Sequence, residues 1–266
     1  MSKRTLVVGD IHGASQALIQ ALTRSDYDPK TDNIIFLGDY VDGWSESMEV
    51  VSLLIGMQQK HKDLKRNPDS IIFLEGNHDQ WFKDFLNIGV PVEGWLANGG
   101  RSTLESYQKA MELSDDKKVL LEKHRKFFNY LQPYFVDNKN RAFVHAGCNR
   151  FDGVAGTLPY LRLWDRSMWA QVQSGGEVKA HSEVYIGHTT TTVNKLTKRR
   201  REFDIQKDGK NYITVPMNRQ NVWNMDTGGG WDGKVTIMDI DTKEFWQSDF
   251  CFDLYPNELR RYKNKK

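Results

Sequence analysis

Only two of the 266 residues are cysteine, Cys148 and Cys251, and neither has a second cysteine within CxxC spacing. That excludes a disulfide framework and a zinc-finger arrangement. Charge of one sign is also lacking: 37 basic side chains meet 35 acidic ones. The chain therefore carries no general electrostatic address to nucleic acid or to an anionic membrane. No run approaches the ~20 apolar residues of a membrane span. The apolar stretch in "MSKRTLVVGD" ends at Asp10, too soon for a signal peptide. The cytoplasm is the default compartment. There is no sequence repeat and no low-complexity segment. With 39% hydrophobic and 12% aromatic residues the chain is globular rather than disordered.

What is present is one pattern written six times. "TLVVGDIHG", "NIIFLGDYVDG", "SIIFLEGNHD", "RAFVHAG", "EVYIGHTT" and "NVWNMDTGGG" are each a short apolar run of strand type, closed by a small residue and then polar side chains. Between the first three lie helical patterns. "ASQALIQALTRS" places Ala17, Leu18, Ala21 and Leu22 on one face, and "SESMEVVSLLIGMQQKH" does so with Met48, Val51, Leu54 and Ile55. Strands alternating with helices predict βαβ units and at least partly parallel sheet. In such sheets ligands bind beyond the carboxyl ends of the strands. The six polar clusters stand at those ends, so the fold can gather them on one rim.

The abrupt turn in "LEGNHDQWF" shows what is at stake. Taken alone, Gly76-Asn77 is a turn pair and Asp79 a helix cap. Four of the seven histidines, His12, His78, His145 and His188, follow such strand ends, whereas His61, His124 and His181 do not. With Asp10, Asp39 and Asn77 they form a set of oxygen and nitrogen donors suited to Mn, Fe or Zn. Two such ions together need about eight to ten donor atoms, and a carboxylate such as Asp39 can bridge them.

These residues resemble the motif series of the calcineurin-like metallophosphoesterases: "GDIHG", "GDYVDG", "GNHD", "HAG" and "GH", in order, with "WLANGG" (95–100), "LWDR" (163–166) and "DTGGGWDGKVT" (226–236). The likeness is to the phosphoprotein-phosphatase branch, especially its bacterial and phage members. It implies an α/β (α+β) fold, a metallophosphoesterase β-sandwich flanked by helices, as a single domain over 1–266. Asp10 and His12 then hold one divalent transition metal, Asn77, His145 and His188 the other, and Asp39 both, with Mn the foremost choice and Fe or Zn alternatives. His78 and Asp42 match the proton-donating pair, and Arg166 a phosphate-binding arginine. The chemistry agrees. Paired metals ~3.5–4 Å apart acidify a water and clamp phosphoryl oxygens. A histidine oriented by a carboxylate can protonate the leaving alkoxide, and an Arg fork fits phosphate.

The chain departs from that pattern in two places. Relatives carry arginine after the second Asp of "GDxVDRG". Here Gly43 and Trp44 follow Asp42, and no arginine lies between Arg24 and Arg66. Arg101, directly after "NGG", is a partial substitute or a solvent-exposed helix-start residue. An arginine at position 43 is expected to help if the pocket is open there, and to clash if Trp44 or the inserted hairpin arm fills it. The second departure is the long interval before "DTGGG". Asp208-Gly209 reads as the turn of an inserted β-hairpin arm near 196–220, with Lys198, Arg199, Arg200 and Arg201 at its base. Such a run is usually a solvated face. The alternative is attraction of an anionic substrate.

Of the tryptophans, Trp164 and Trp169 around Arg166, and Trp223 and Trp231 around Asp226, are expected to pack. Stacking on a nucleobase is the alternative. Cys148 is expected to be a buried, inert thiol. The leading functional expectation is a serine/threonine-type protein phosphatase acting on phosphate monoesters, with a phosphorylated protein or small phosphoester as partner. Nucleic acid and membrane are not expected as partners. A nucleotide phosphoanhydride or phosphodiester hydrolase, like the bis(nucleosyl)-tetraphosphatases, is the second reading. A phosphate-binding or scaffold protein without activity is the third, disfavoured because every ligand position is filled.

Overall fold

The structure is a computed structural model that describes residues 4–114, 116–191 and 214–258. Its order is β1 (Thr5–Val8), α1 (Ser15–Arg24), β2 (Asn33–Phe36), α2 (Ser47–Asp63), β3 (Ile71–Phe73), α3 (Asn77–Ile88), α4 (Glu93–Trp95), α5 (Arg101–Leu113), α6 (Lys117–Tyr130), β4 (Phe135–Val136), β5 (Arg141–Phe143), α7 (Pro159–Trp164), α8 (Ser167–Gln173), β6 (Glu183–Ile186), β7 (Met217–Arg219), β8 (Val222–Asn224), β9 (Thr236–Asp239), β10 (Phe245–Gln247) and α9 (Cys251–Leu254).

Two five-stranded sheets result, β10-β9-β1-β2-β3 and β4-β5-β6-β8-β7. In the first, β1, β2 and β3 are parallel, and β9 and β10 continue antiparallel on one side. The second holds its own parallel set, β5, β6 and β8, with β4 and β7 as antiparallel edges. The unbroken apolar runs follow from this arrangement, since a strand covered on both faces needs no polar alternation.

Alternate residues serve different layers. Leu6, Val8, Ile34 and Phe36 face α1, α2 and the helices beyond, in one core cluster with Val51, Leu54 and Phe128. Val7, Ile35, Leu37 and Ile72 face inward, against Phe143, Tyr185 and Met225 of the second sheet. Val144, Val184 and Ile186 pack outward on Met168, Trp169 and Val172 of α8. The result is a sheet-on-sheet sandwich with helices on its outer faces. The parallel strands of both sheets send their carboxyl ends to one rim.

Most of the expected arm near 196–220 lies outside the described residues. Its last part is β7, which pairs antiparallel with β8 through Met217↔Asn224. Among the described residues no helix is long and apolar enough to cross a membrane.

Candidate metal centre and active site

All six strand-end clusters meet on this rim. Asp10 and His12 follow β1, Asp39 and Asp42 follow β2, and Asn77 and His78 open α3 after β3. His145 and His188 come from across the sandwich, after β5 and β6. Three of these turns put non-glycine residues at positive φ: His12 (53°) after β1, Asp39 (55°) and Asp42 (72°) after β2, and His188 (64°) after β6. Such conformations cost about 1–3 kcal/mol each and persist only where the surroundings over-determine them. The adjoining glycines are sterically required. A Cβ on Gly76 would collide with Asp39 Oδ1, and one on Gly187 with Asp10 Oδ1. The glycine that ends the third strand is there so that Asp39 can approach.

Two groups of donors converge. Asn77 Oδ1 lies 3.0 Å from His145 Nε2 and 2.8 Å from His188 Nδ1, and His145 Nε2 is 3.4 Å from Asp39 Oδ2. On the other side His12 Nε2 is 3.3 Å from the same Asp39 Oδ2 and 3.8 Å from Asp10 Oδ2. Asp39 Oδ1 is turned away, accepting the His78 backbone N–H at 3.0 Å. One carboxylate oxygen therefore faces both groups.

The protonation pattern shows that these donors fit a cation. His12 Nδ1 lies 3.1 Å from Val41 O, and His145 Nδ1 lies 2.9 Å from Leu37 O. A carbonyl can only accept, so each Nδ1 carries the proton. In the neutral imidazole Nε2 is then a lone pair, and both lone pairs point at carboxylate or amide oxygens. Acceptor facing acceptor is repulsive unless a proton or a cation lies between. Histidines that bind metals characteristically donate their other ring N–H in this way. Among the described residues, His188 Nε2 is buried without a hydrogen-bond partner.

The ionisations respond to the crowding. Burial would raise Asp39, but His145, His78 and His12 outweigh it and hold its carboxyl well below the usual range. Burial, with Asp226 nearby, pushes Asp10 up. Burial would lower His145, yet Asp39 and Asp10 bring it up to about 9. His188 is driven down to about 2 by burial, His145 and Arg166.

Beside the donors stands a second assembly. His78 Nδ1–H donates to Asp42 Oδ2 at 2.7 Å. Trp95 Nε1–H donates to the same oxygen at 2.8 Å, and Thr103 Oγ1–H to Asp42 Oδ1 at 2.6 Å. The Asp42 carboxylate is fully buried and held by three donors. Trp95 stands in the "WLANGG" segment; Thr103 carries no signal in the sequence. Asp79 does more than start a helix. Its carboxylate takes N–H groups from Gly76, Asp39 and Tyr40 (2.9, 2.6 and 2.9 Å), tying the turn after β2 to the start of α3.

Arg166 is exposed beside His188, its Nη1 donating to His188 O (2.9 Å) and Thr189 Oγ1 (2.8 Å). Arg101 is exposed at the start of α5, two residues before Thr103. Trp44 is buried, stacked on Tyr255 (centroids 4.9 Å apart, planes 21°), with Nε1–H on Gly229 O. The obstacle to an arginine at position 43 is the backbone: Gly43 has φ 112°. Trp169 belongs to the core, as expected, whereas Trp164 is half-buried at the rim. Cys148 is buried 3.6 Å from Met168 Sδ, its thiol pushed up to about 12 by burial.

The profile of the calcineurin-like phosphoesterase family matches residues 3–228. A curated relative, the symmetrical bis(5'-nucleosyl)-tetraphosphatase of Xylella fastidiosa, is 20% identical over 89% of this chain and 88% of its own. Among solved structures, one described as a candidate diadenosine tetraphosphatase aligns with TM-score 0.52 at 17% identity, covering 92% of each chain. A Saccharomyces cerevisiae serine/threonine phosphatase aligns with TM-score 0.52 at 13% identity, over 94% of this chain and 83% of that one. Those structures share the fold. The family match, spanning both parallel strand sets and every clustered donor, establishes that the chain belongs to the calcineurin-like phosphoesterases and is a metal-dependent phosphoesterase.

Proposed function

We propose that the protein hydrolyses phosphomonoesters whose leaving group is an alkoxide, the reaction of a serine/threonine-type phosphatase. The observation that carries this reading is the His78–Asp42 pair. An alkoxide leaves poorly without a proton, whereas the phosphate leaving group of an anhydride hardly needs one. A buried carboxylate fixed by Trp95 and Thr103 orients the His78 ring, so that Nε2 can deliver a proton.

Asp10, His12 and Asp39 would hold one divalent metal, and Asp39, Asn77, His145 and His188 the other, with Mn, Fe and Zn all matched by this donor set. Two such ions, when bound, acidify a water and neutralise charge on the phosphoryl oxygens. His78 also lies within reach of a site formed with His12 and Asp39. Its Nδ1–H is donated to Asp42, an arrangement that suits a ligand as well as a proton donor; the metal content of His78→Asn separates the two roles. Arg166, moored to His188 O at the rim, is our candidate for the phosphate-binding arginine, since its fork suits phosphate oxygens, and Arg101 stands second to it.

A second reading, hydrolysis of a nucleotide phosphoanhydride, is supported by the Xylella relative's name. A substrate panel on Mn-loaded protein separates the two: p-nitrophenyl phosphate, a phosphoserine peptide, diadenosine tetraphosphate and 2',3'-cyclic nucleotides. Turnover of monoesters above the tetraphosphate supports the proposal, and the reverse order replaces it with the second reading. Elemental analysis after loading should find two ions per chain; at most one under saturating Mn would overturn the assignment of ligands.

A further inference from the structure

A chain of aromatic rings leads out of the site. His78 meets Trp81 edge to face with centroids 5.2 Å apart, Trp81 meets Trp164 at 4.8 Å, and Trp164 meets His188 at 6.3 Å. Tyr160, one helical turn before Trp164 on α7, lies nearly parallel to it, at 6.1 Å and 17°. The series thus begins at the two histidines that flank the reacting centre and ends at Tyr160, which is 67% exposed.

Among the described residues, packing does not account for the outer half of this series. Trp164 and Tyr160 belong to none of the three core clusters, and Trp81 touches one only at its margin. Trp44 and Trp169, by contrast, are 4% exposed within their clusters. Two large aromatic rings stacked on each other at the rim of a charged site present flat apolar area to whatever extends from a bound phosphate. We infer that Trp164 and Tyr160, backed by Trp81, form a stacking wall for the base of a nucleotide substrate, so that the preferred phosphoester carries a nucleoside.

The inference rests on the phosphoester reading of the same site and extends it to substrate class. With phosphate beside Arg166 and His188, a sugar crosses the rim and a base comes to rest against Trp164. The recognition is by shape and stacking, which every base can satisfy. The wall therefore selects for a ring more than for one base. A single aromatic platform contributes about 5- to 150-fold per base.

The test compares adenosine 5'-monophosphate with ribose 5-phosphate, which offers the same phosphate and sugar without the base. Calorimetry on the Mn-loaded His78→Asn protein measures binding with the ester intact, and steady-state kinetics on the wild type measures turnover. The nucleotide should bind about 5- to 150-fold more tightly. Trp164→Ala and Tyr160→Ala should each shrink that ratio, and Trp164→Phe should restore part of it. Equal binding of the two ligands within twofold would overturn the wall. So would a ratio that survives both alanine substitutions, or a phosphotyrosine peptide that outcompetes the nucleotide. Selective binding without turnover of the nucleotide would support the wall while defeating the monoesterase reading, so the two can fail separately.

Discussion

His78 and Asp42 are far apart in sequence and 2.7 Å apart in the fold. His78→Asn removes the proton donor while leaving Asp10, His12, Asp39, Asn77, His145 and His188 in place. General acid–base catalysis contributes about 10²–10⁴-fold, so kcat on an alkyl phosphate should drop by that range with metal content unchanged. The loss should be smaller on p-nitrophenyl phosphate, whose leaving group is already a weak base. Equal losses on both substrates, or a lost ion, would reassign His78 as a ligand. Arg166→Ala removes a charge-assisted contact of about 1.5–3 kcal/mol, and kcat/KM should fall about 10- to 150-fold. A change under twofold would mean that phosphate is held elsewhere. Gly43→Arg meets the backbone first. At φ 112° a side chain is strained by about 1–3 kcal/mol, and Tm should fall by roughly 2–12 °C. A thermal melt that stays put, together with faster phosphomonoester turnover, would contradict the strain argument.

Elements were more legible in the sequence than the bonds between them. Each of the six apolar runs meets its Gly, Asp or His within about three residues of the strand's end, because strand length and turn chemistry are local. That the clusters share a rim followed from βαβ alternation. The support of Asp42 was not legible: Trp95 and Thr103 reach it from α4 and α5, a coincidence of packing that no local pattern encodes. The fates of Trp164 and Trp169 also needed coordinates, because the break at Asp165 and Arg166 between α7 and α8 resets the helical phase. The segment around α9 is a further case. Tyr255 stacks on Trp44, donates to Glu46 Oε2 (2.5 Å) and accepts the Gln16 N–H (3.1 Å), while Glu258 accepts the Ser45 N–H (3.0 Å). It braces the turn carrying Asp42 and Gly43 from outside. Tyr255→Ala should cost about 3–5 kcal/mol, as for other buried aromatics. Tyr255→Phe should cost about 1.5–3, the worth of a hydrogen bond to a charged group. Urea unfolding measures both, and near-equal costs would mean that the ring contributes nothing beyond its hydroxyl.

At the scale of the whole molecule, stability responds to pH through groups far from the rim. His61 on α2 and His124 on α6 are both buried, and burial, with Arg66 and Lys123 adding to it respectively, lowers each to about 4. Each stays neutral while bonded to a tyrosine and a serine: His61 to Tyr27 and Ser70, His124 to Tyr107 and Ser52. In the unfolded chain they titrate near 6.5. Above pH 6.5 neither state is protonated and the contribution is complete. Between about 6.5 and 4 the unfolded chain takes up protons that the fold refuses, so stability falls as pH falls, and it levels off below about 4. Asp79, raised to about 8 by burial and Asp39, acts with the opposite sign, as does His145, so the net slope of the wild type does not isolate the two histidines. A difference does. His61→Gln and His124→Gln keep a group that can donate and accept but remove the titration. In metal-free protein, the urea midpoint of the wild type minus that of each variant should be largest above pH 6.5 and shrink steadily toward pH 4. A gap independent of pH would show that these imidazoles are protonated in the folded state as readily as in the unfolded one, and that their tyrosine and serine partners do not hold them neutral.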